Sequence, residues 1–426
     1  MRRRALLGTA ASSMLCLAGL PGLSLARAQP APHARRDQEG APLAPWRAGW
    51  MDIHHIATGR GNATLVIFPD GTSLLIDAGA SLASLDVSVA PRPDATRRPG
   101  QWIARYLQRQ LRSAGLGQGL DYLLVTHLHP DHLGDVEAAS PMAAGGSYRL
   151  TGVMDVAELL PIGMVIDRGF PHYAYPAQFK APFADNYRAF IGARSTAGKA
   201  VEAFRVGSAA QIGARGHRPW ATPFEVRNLA ANGQVWSGVG EGSTALFPPL
   251  DSLPAADWPT ENSCSIALRI AYGQFAYFTG GDLTSYTDDG ALPWRDVLGP
   301  AARAAGPVTV ATADHHGMFD ALNGDIVRTL RPRAWVIPAW HIGHPDLLQL
   351  ERMFSQRLYP GPREVYATTV MPQNLLANGR LTRRMASHDG HIVVRVLPGG
   401  GSMYIAVTDN RDEGDLVRRM GEVMTL

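Results

Sequence analysis

The sequence predicts a layered α/β fold in which short strands alternate with helices and the chemistry-bearing side chains stand at strand ends. Three observations predict it. Short apolar runs such as residues 122–125 recur between turn residues, as strands do. Residues 101–114 place Ile103, Leu107 and Leu111 on one helical face and Arg98, Arg105, Arg109 and Arg112 on another, with Gly115 as the stop. Directly after the 122–125 run stands Thr126-His127-Leu128-His129-Pro130-Asp131-His132, which brings three imidazoles and a carboxylate to the end of a strand. With 426 residues, 46% of them hydrophobic, the chain can bury a large core in one large domain or two smaller ones.

The first residues have the parts of a secretory signal. Met1-Arg2-Arg3-Arg4 is followed by an apolar run over residues 5–25 and by Ala26-Arg27-Ala28, so residues 1–28 are expected to be removed. Gly8, Gly19, Pro21 and Gly22 interrupt the apolar run and argue against a retained membrane anchor. The paired arginines hint at twin-arginine export, which suits a protein that is folded and metal-loaded before it crosses. The expected location is periplasmic or secreted. Removing the segment takes four arginines from the 40 basic residues and leaves 36 against 37 acidic ones, a net charge of −1. The apparent basicity therefore belongs mostly to the signal, and a general polyanion-binding surface is not supported. Cys16 leaves with the signal and Cys264 stays alone, so the mature chain has no internal disulfide.

Residues 29–48, rich in Ala, Pro and Arg without periodicity, read as a flexible lead-in, and residues 49–426 as the folded domain. Strands are expected at 53–56, 64–68 and 73–76, the last two joined by the Pro69-Asp70-Gly71 turn. His54 and His55 fall within a strand pattern and read as structural. The basic stripe of the 101–114 helix reads as a solvated face rather than a phosphate contact. At the next strand end, residues i and i+2 of an extended chain point the same way, so His127 and His129 face one point. Pro130 then fixes a turn that lets Asp131 and His132 swing back toward it, a set of N and O donors suited to zinc or another borderline divalent cation.

Residues from about 138 to 260 carry many Pro, Gly and aromatic residues and no familiar motif. They read as an insertion that forms a lid or wall of the substrate pocket. Beyond it, Asn262-Ser263-Cys264-Ser265 leads into alternating residues 266–270, then Phe275-Ala276-Tyr277-Phe278-Thr279-Gly280-Gly281-Asp282 puts a carboxylate at another strand end. Cys264 reads as core. Residues 308–312 deliver Ala313-Asp314-His315-His316-Gly317, and strand 334–338 delivers Ala339-Trp340-His341-Ile342-Gly343-His344-Pro345. A helix over 346–358 comes next, with closing strands at 365–368, 391–396 and 403–407. His388 and His391 read as surface or edge residues.

The His-x-His-x-Asp-His loop resembles the signature of the metallo-β-lactamase-fold hydrolases. The Gly59-Arg60-Gly61-Asn62-Ala63, Ile76-Asp77-Ala78-Gly79, Gly-Gly-Asp, His-His-Gly and Gly-His-Pro stretches are similar to the ComEC-like branch, which includes the hydrolase domain of a DNA-uptake protein and choline-phosphate esterases. Asn62 stands where that branch usually has Asp, and Met318 where it has Ser. The resemblance spans about residues 50–408 and implies an αββα sandwich, two sheets face to face with helices outside. It also implies a ligand set for two divalent metal ions, zinc by donor type: His127, His129 and Asp282 for one, and Asp131, His132, Asp282 and His316 for the other. Asp77 would brace the loop, His315 would be a neighbour or proton carrier, and His344 would contact a substrate phosphate or orient a ligand. Lactamase-type enzymes place a third histidine in the 138–260 interval; only His172 and His217 are available, neither in a matching context, and the ComEC-like branch also lacks it. Signal and resemblance together imply an exported dinuclear hydrolase in which cations lower the pKa of a shared water and Asp131 orients it. A small or envelope-associated phosphodiester is the expected substrate class, with nucleic acid not favoured by the mature charge. Hydrolysis of a lactam or lactone, or metal binding without catalysis, are the alternatives.

Overall fold

A computed structural model describes residues 37–117 and 119–426. The expected signal over 1–28, Cys16 and the lead-in residues 29–36 lie outside the described residues. No helix among the described residues is long and apolar enough to cross a membrane.

The chain builds one sheet, then the other, then returns to the first. Strands β1 (Met51–His55), β2 (Thr64–Ile67), β3 (Ser73–Ile76), β4 (Leu120–Val125), β5 (Ile162–Asp167) and β6 (Ala200–Ala203) run in this order across one half of a ten-stranded sheet. An eight-stranded sheet is then built from β7 (Phe224–Ala231), β8 (Gln234–Trp236), β9 (Ser243–Ala245), β10 (Ala267–Tyr272), β11 (Phe275–Thr279), β12 (Val310–Thr312), β13 (Ala334–Ile337) and β14 (Glu364–Ala367). The chain returns through β15 (His391–Val396), β16 (Ser402–Thr408), β17 (Val417–Met420) and β18 (Met424–Thr425), with β15 beside β1. The hairpin between β2 and β3 turns at Gly71, whose φ of +85° is open to glycine at little cost, and pairs Leu65 with Leu75.

Strand alternation sends each sheet's side chains into two different cores. Val66, Leu74, Ile76 and Leu124 face Leu268, Ile270, Tyr277 and Val336 between the sheets. On the outer face of the first sheet, Leu65, Leu75 and Val125 meet helices α1 (Pro99–Ser113), α2 (Pro130–Leu133, a single turn), α3 (Gly152–Leu159) and α4 (Pro182–Thr196). On the outer face of the second, Phe278, Ala311 and Trp335 meet α5 (Leu298–Ala305), α6 (Gly324–Leu330) and α7 (Leu347–Phe354). The layers are therefore helix, sheet, sheet, helix. In α1 the expected Ile103, Leu107 and Leu111 are all buried, each contributing roughly 1.5–3 kcal/mol.

Four expectations are corrected. Residues 37–48 are not a loose lead-in: Asp37 and Trp46 are buried, and Asp37 Oδ2 accepts from Arg395 Nη1 at 2.9 Å. A carboxylate that satisfies an interior guanidinium ties this polar segment down. The 138–260 interval is not a simple insertion, because β5 and β6 extend the first sheet in parallel from β4, and β7 pairs antiparallel with β10. The arginines of α1 are paired rather than only solvated: Arg109 bridges Asp415 at 3.0 Å, and Arg98 bridges Asp155. His391 is buried in β15, where Nδ1 accepts the Ala57 N–H at 3.0 Å. His54 and His55 are buried, with His54 Nδ1 2.9 Å from Tyr106 Oη and His55 Nδ1 3.3 Å from Thr64 Oγ1.

Candidate metal centre

The centre forms where parallel strands of both sheets end. β3 and β4 are parallel neighbours, as are β11, β12 and β13, so their carboxyl ends and the loops after them open on the same side. β3 delivers Asp77, β4 delivers residues 127–132, β11 delivers Asp282, β12 delivers residues 314–316 and β13 delivers residues 341–344.

Backbone contacts hold the histidine loop in place. Asp131 O accepts from Asn62 N at 2.7 Å, His132 O from Ala78 N at 2.8 Å, and Pro130 O from Ala80 N at 3.1 Å. These approaches leave no room for side chains: a Cβ on Gly79 would lie 1.9 Å from Asp131 O, and one on Gly61 2.2 Å from it. Asn62 thus serves the loop through its main chain.

Two groups of ligand-type atoms result, each with its members within 4.8 Å of one another: His127, His129 and Asp282, and Asp131, His132, Asp282 and His316. Asp282 belongs to both. His127 Nε2 lies 3.0 Å from His129 Nδ1 and 3.7 Å from Asp282 Oδ2. His132 Nε2 lies 3.1 Å from Asp282 Oδ1, and His316 Nε2 lies 2.9 Å from Asp131 Oδ2 and 3.5 Å from Asp282 Oδ2. Ligands arranged tetrahedrally around a zinc-sized ion would be about 3.4 Å apart, so these spacings suit a shared cation.

Other side chains aim the rings. His132 Nδ1 lies 2.8 Å from Asp77 Oδ2, and Asp77 is itself held by the Thr126 N–H at 2.8 Å. His316 Nδ1 donates to Pro338 O at 2.9 Å. With each Nδ1 engaged in this way, each Nε2 turns a lone pair inward. His132 Nε2, Asp282 Oδ1 and His316 Nε2 are buried, and although they lie close to one another and to Asp131 none is aligned for a hydrogen bond. Buried polar atoms are rarely left so, and a cation would satisfy all three, so the residues fit a metal. His315 and His316 both hold left-handed backbone, at φ of 46° and 54°, a costly conformation that concentrates at functional sites.

The electrostatics match. Burial keeps His127 and His129 well toward the neutral, ligating form. At His316 burial is outweighed by Asp282 and Asp131, which raise its pKa to about 9; His132 is raised for the same reasons. Asp131 and Asp282 are held ionised against burial by those imidazoles. The carboxylates thus call for positive charge at this point, which protons or cations can supply.

Of the remaining sequence candidates, His315 turns away from both groups: Nδ1 sits 2.7 Å from Asp320 Oδ1 and Nε2 3.2 Å from Asn262 Nδ2. His344 is buried and stacks on His316, ring centroids 4.6 Å apart at 11°. His341 lies 5.4 Å from the His344 ring. His172 is exposed, and the His217 ring is spent on Asp121 at 2.8 Å; neither joins the centre. Cys264 is buried, with its thiol pushed up to about 12 by burial.

Sequence reasoning missed Glu261, Arg168 and Asp314. Glu261 Oε1 accepts from Leu128 N at 2.7 Å and from Arg168 Nε at 2.8 Å, so it grips the peptide between His127 and His129. Asp314 Oδ1 accepts from Gly280 N at 2.7 Å and ties the Asp282 loop to the His316 loop. Asp314 directly precedes the paired histidines, which was the one signal available for it.

The family comparison agrees with this reading at the level of fold. The sequence model described as Metallo-beta-lactamase superfamily matches residues 56–139, the stretch that holds β2 to β4 and the histidine loop. The two-sheet sandwich with outer helices is consistent with that fold. No curated protein matches. Among solved structures, a mutant of the CmlA beta-hydroxylase is similar at 12% identity and a TM-score of 0.37, over 82% of this chain and 54% of that one. The chain therefore spans about half of the hydroxylase. Human tRNase Z, short form, is similar at 11% identity and a TM-score of 0.29, over 67% of this chain and 92% of that one.

Proposed function

We propose that this chain is an exported metal-dependent hydrolase that takes two divalent cations, zinc by donor type, and cleaves a phosphodiester. The observation that carries the reading is Asp282, the one carboxylate common to both ligand groups, with oxygens 3.1 Å from His132 and 3.7 Å from His127. His127, His129 and Asp282 would hold one cation, and Asp131, His132, Asp282 and His316 the other. When bound, such a pair acidifies a water molecule and stabilises charge on the attacked group and the leaving oxygen.

The side chains have distinct parts in this reading. Asp131, kept ionised beside His316, orients the attacking water and accepts its hydrogen bond. As the water oxygen bonds to phosphorus, the bond to the leaving oxygen breaks, and that oxygen takes a proton to become an alcohol. The proton comes from solvent: His315 turns from both ligand groups, its ring engaged by Asp320 and Asn262, and serves as the neighbour that steadies the His316 loop. His344, neutral because it is buried and faces His316, orients that ligand by stacking. The branch-level similarity of the Gly-Gly-Asp, His-His-Gly and Gly-His-Pro stretches supports a phosphodiester over a lactam or lactone. The lone signal for export is the 1–28 segment.

The test is hydrolysis of a chromogenic bis-aryl phosphate by metal-loaded protein, beside a chelator-treated sample and Asp131→Ala. Turnover lost in both controls supports the reading, with at least a 100-fold fall expected for the variant, roughly the size of a general-base effect. Wild-type turnover in Asp131→Ala overturns the assignment of Asp131. Bound metal without turnover points to lactam or lactone substrates, and protein that binds no metal points to a protein that has left the chemistry behind.

A further inference from the structure

A cleft of about 610 Å³ opens from His129. That volume lies within the roughly 300–1,000 Å³ of small-molecule sites. Three aromatic side chains, Phe179, Trp258 and Tyr286, line it together with two cations, Lys180 and Arg295. Phe179 stands edge-on to the His129 ring at 5.7 Å, which makes the aromatic lining continuous with the metal centre.

The charge offered to a ligand is positive. Two carboxylates also line the cleft, but Glu261 is taken by Arg168 and Asp320 by His315. No carboxylate among the described residues forms an ion pair with Lys180 or Arg295. Arg295 has a second deficit: its Nε is buried with no hydrogen-bond partner, and its Nη2 reaches only Ala256 O at 3.4 Å. The buried Nε is out of a ligand's reach, but the end of the guanidinium, with Nη2 held only by that weak contact, is open to an oxyanion in the cleft.

We propose that the cleft takes a small ester with an aryl-sized apolar body and a second anionic group, a carboxylate or phosphate, held by Arg295 and Lys180 away from the reacting bond. The proposal rests on the hydrolase reading and names its substrate class. It goes against a polymer, because tracking a nucleic-acid backbone calls for a run of cations along a groove, and this cleft carries two.

The experiment compares two chromogenic diesters with metal-loaded protein: a bis-aryl phosphate, and its analogue in which the non-leaving ring carries a para carboxylate. The anionic diester is expected to be preferred by roughly tenfold or more in kcat/KM, mainly through KM, the scale of a charge-assisted contact. In the double variant Arg295→Gln with Lys180→Gln the ratio of the two kcat/KM values should fall toward one. Equal use of both diesters by the wild type, or an undiminished ratio in the double variant, overturns the proposal. A second arm does not depend on turnover: calorimetric binding of naphthoate against the neutral naphthyl methanol. If neither diester is cleaved, the phosphodiester reading fails, and this arm alone decides the cleft. Tighter naphthoate binding that is lost in the double variant supports the proposal; equal binding of the two probes overturns it.

Discussion

Arg168 and Glu261 form a buried ion pair that reaches into the metal loop: Glu261 Oε1 takes Arg168 Nε at 2.8 Å and the Leu128 N–H at 2.7 Å. Arg168 also donates to Tyr175 O at 3.1 Å and to Asn232 Oδ1 at 3.0 Å, so one guanidinium joins the cleft wall, the β7–β8 turn and the histidine loop. Removing the carboxylate leaves a buried charge without its partner. Glu261→Ala should lose about 3–5 kcal/mol of stability, and Glu261→Gln, which keeps an acceptor for Leu128, should lose less. In Glu261→Gln the metal affinity should still fall roughly 10–100-fold, because the peptide between two ligands is less firmly held. Chelator competition on the folded variant reads this directly, and an unchanged affinity would mean that the pair serves stability alone.

The glycine at the end of β3 makes a sharper test of loop geometry. A Cβ on Gly79 would lie 1.9 Å from Asp131 O and 2.8 Å from Asn62 N, both main-chain atoms that cannot swing aside. Gly79→Ala should therefore displace Asp131, lowering metal content and turnover together. Gly117, where a Cβ meets nothing within 4 Å, is the control. Gly117→Ala should stay within about 0.5 kcal/mol of wild type in a urea titration, as surface substitutions do.

Legibility in the sequence tracked how local each interaction is. The histidine loop could be read because four ligand-type residues sit on one strand end, and Asp282 because two glycines and a strand lead into it. Glu261 could not, since its partner is a backbone N–H 133 residues away and a single Glu in a Pro- and Trp-rich loop carries no pattern. Asp37 was hidden in the same way, 358 residues from Arg395. Strands β1 to β4 and β10 to β16 were visible as apolar runs. In the 138–260 interval Gly163 interrupts β5, and β6 is a half-exposed edge strand, so neither has a clear alternation and both depend on their neighbours for strand structure. His391 was misread because a polar residue in a strand suggests an outward face; here that face is covered by α1, with the Tyr106 ring 4.6 Å away.

That burial gives the stability a pH dependence. Burial, with Arg109 acting in the same direction, lowers the His391 pKa to about 3, below its ordinary value of 6.5. The unfolded chain therefore binds a proton that the folded chain refuses, and stability falls as pH drops from 6.5 toward 3. The slope from this one group is about 1.4 kcal/mol per pH unit within that window. His55, lowered to about 3 by burial, adds to it. Asp52, held at about 2 by Arg395 against burial, adds a further loss only below its ordinary 3.8. In chelator-treated protein, His391→Gln offers the Ala57 N–H an acceptor that does not titrate. Urea midpoints between pH 7 and pH 4 should then fall less steeply than in wild type, and parallel slopes would refute the role of His391.

The two ligand groups share Asp282 but no histidine, so removing single ligands should separate them. His129→Ala takes a donor from the first group only, and His316→Ala from the second only. Each variant should keep one of two cations under dialysis against a modest chelator concentration. Asp282→Ala removes the oxygens that both groups use, and both cations should go. Metal analysis of the dialysed proteins gives the stoichiometry, with circular dichroism to confirm that each is folded. Loss of both cations in His129→Ala would mean that the second group cannot hold its ion alone. Retention of two in Asp282→Ala would mean that the carboxylate bridges nothing, and the dinuclear reading would fall with it.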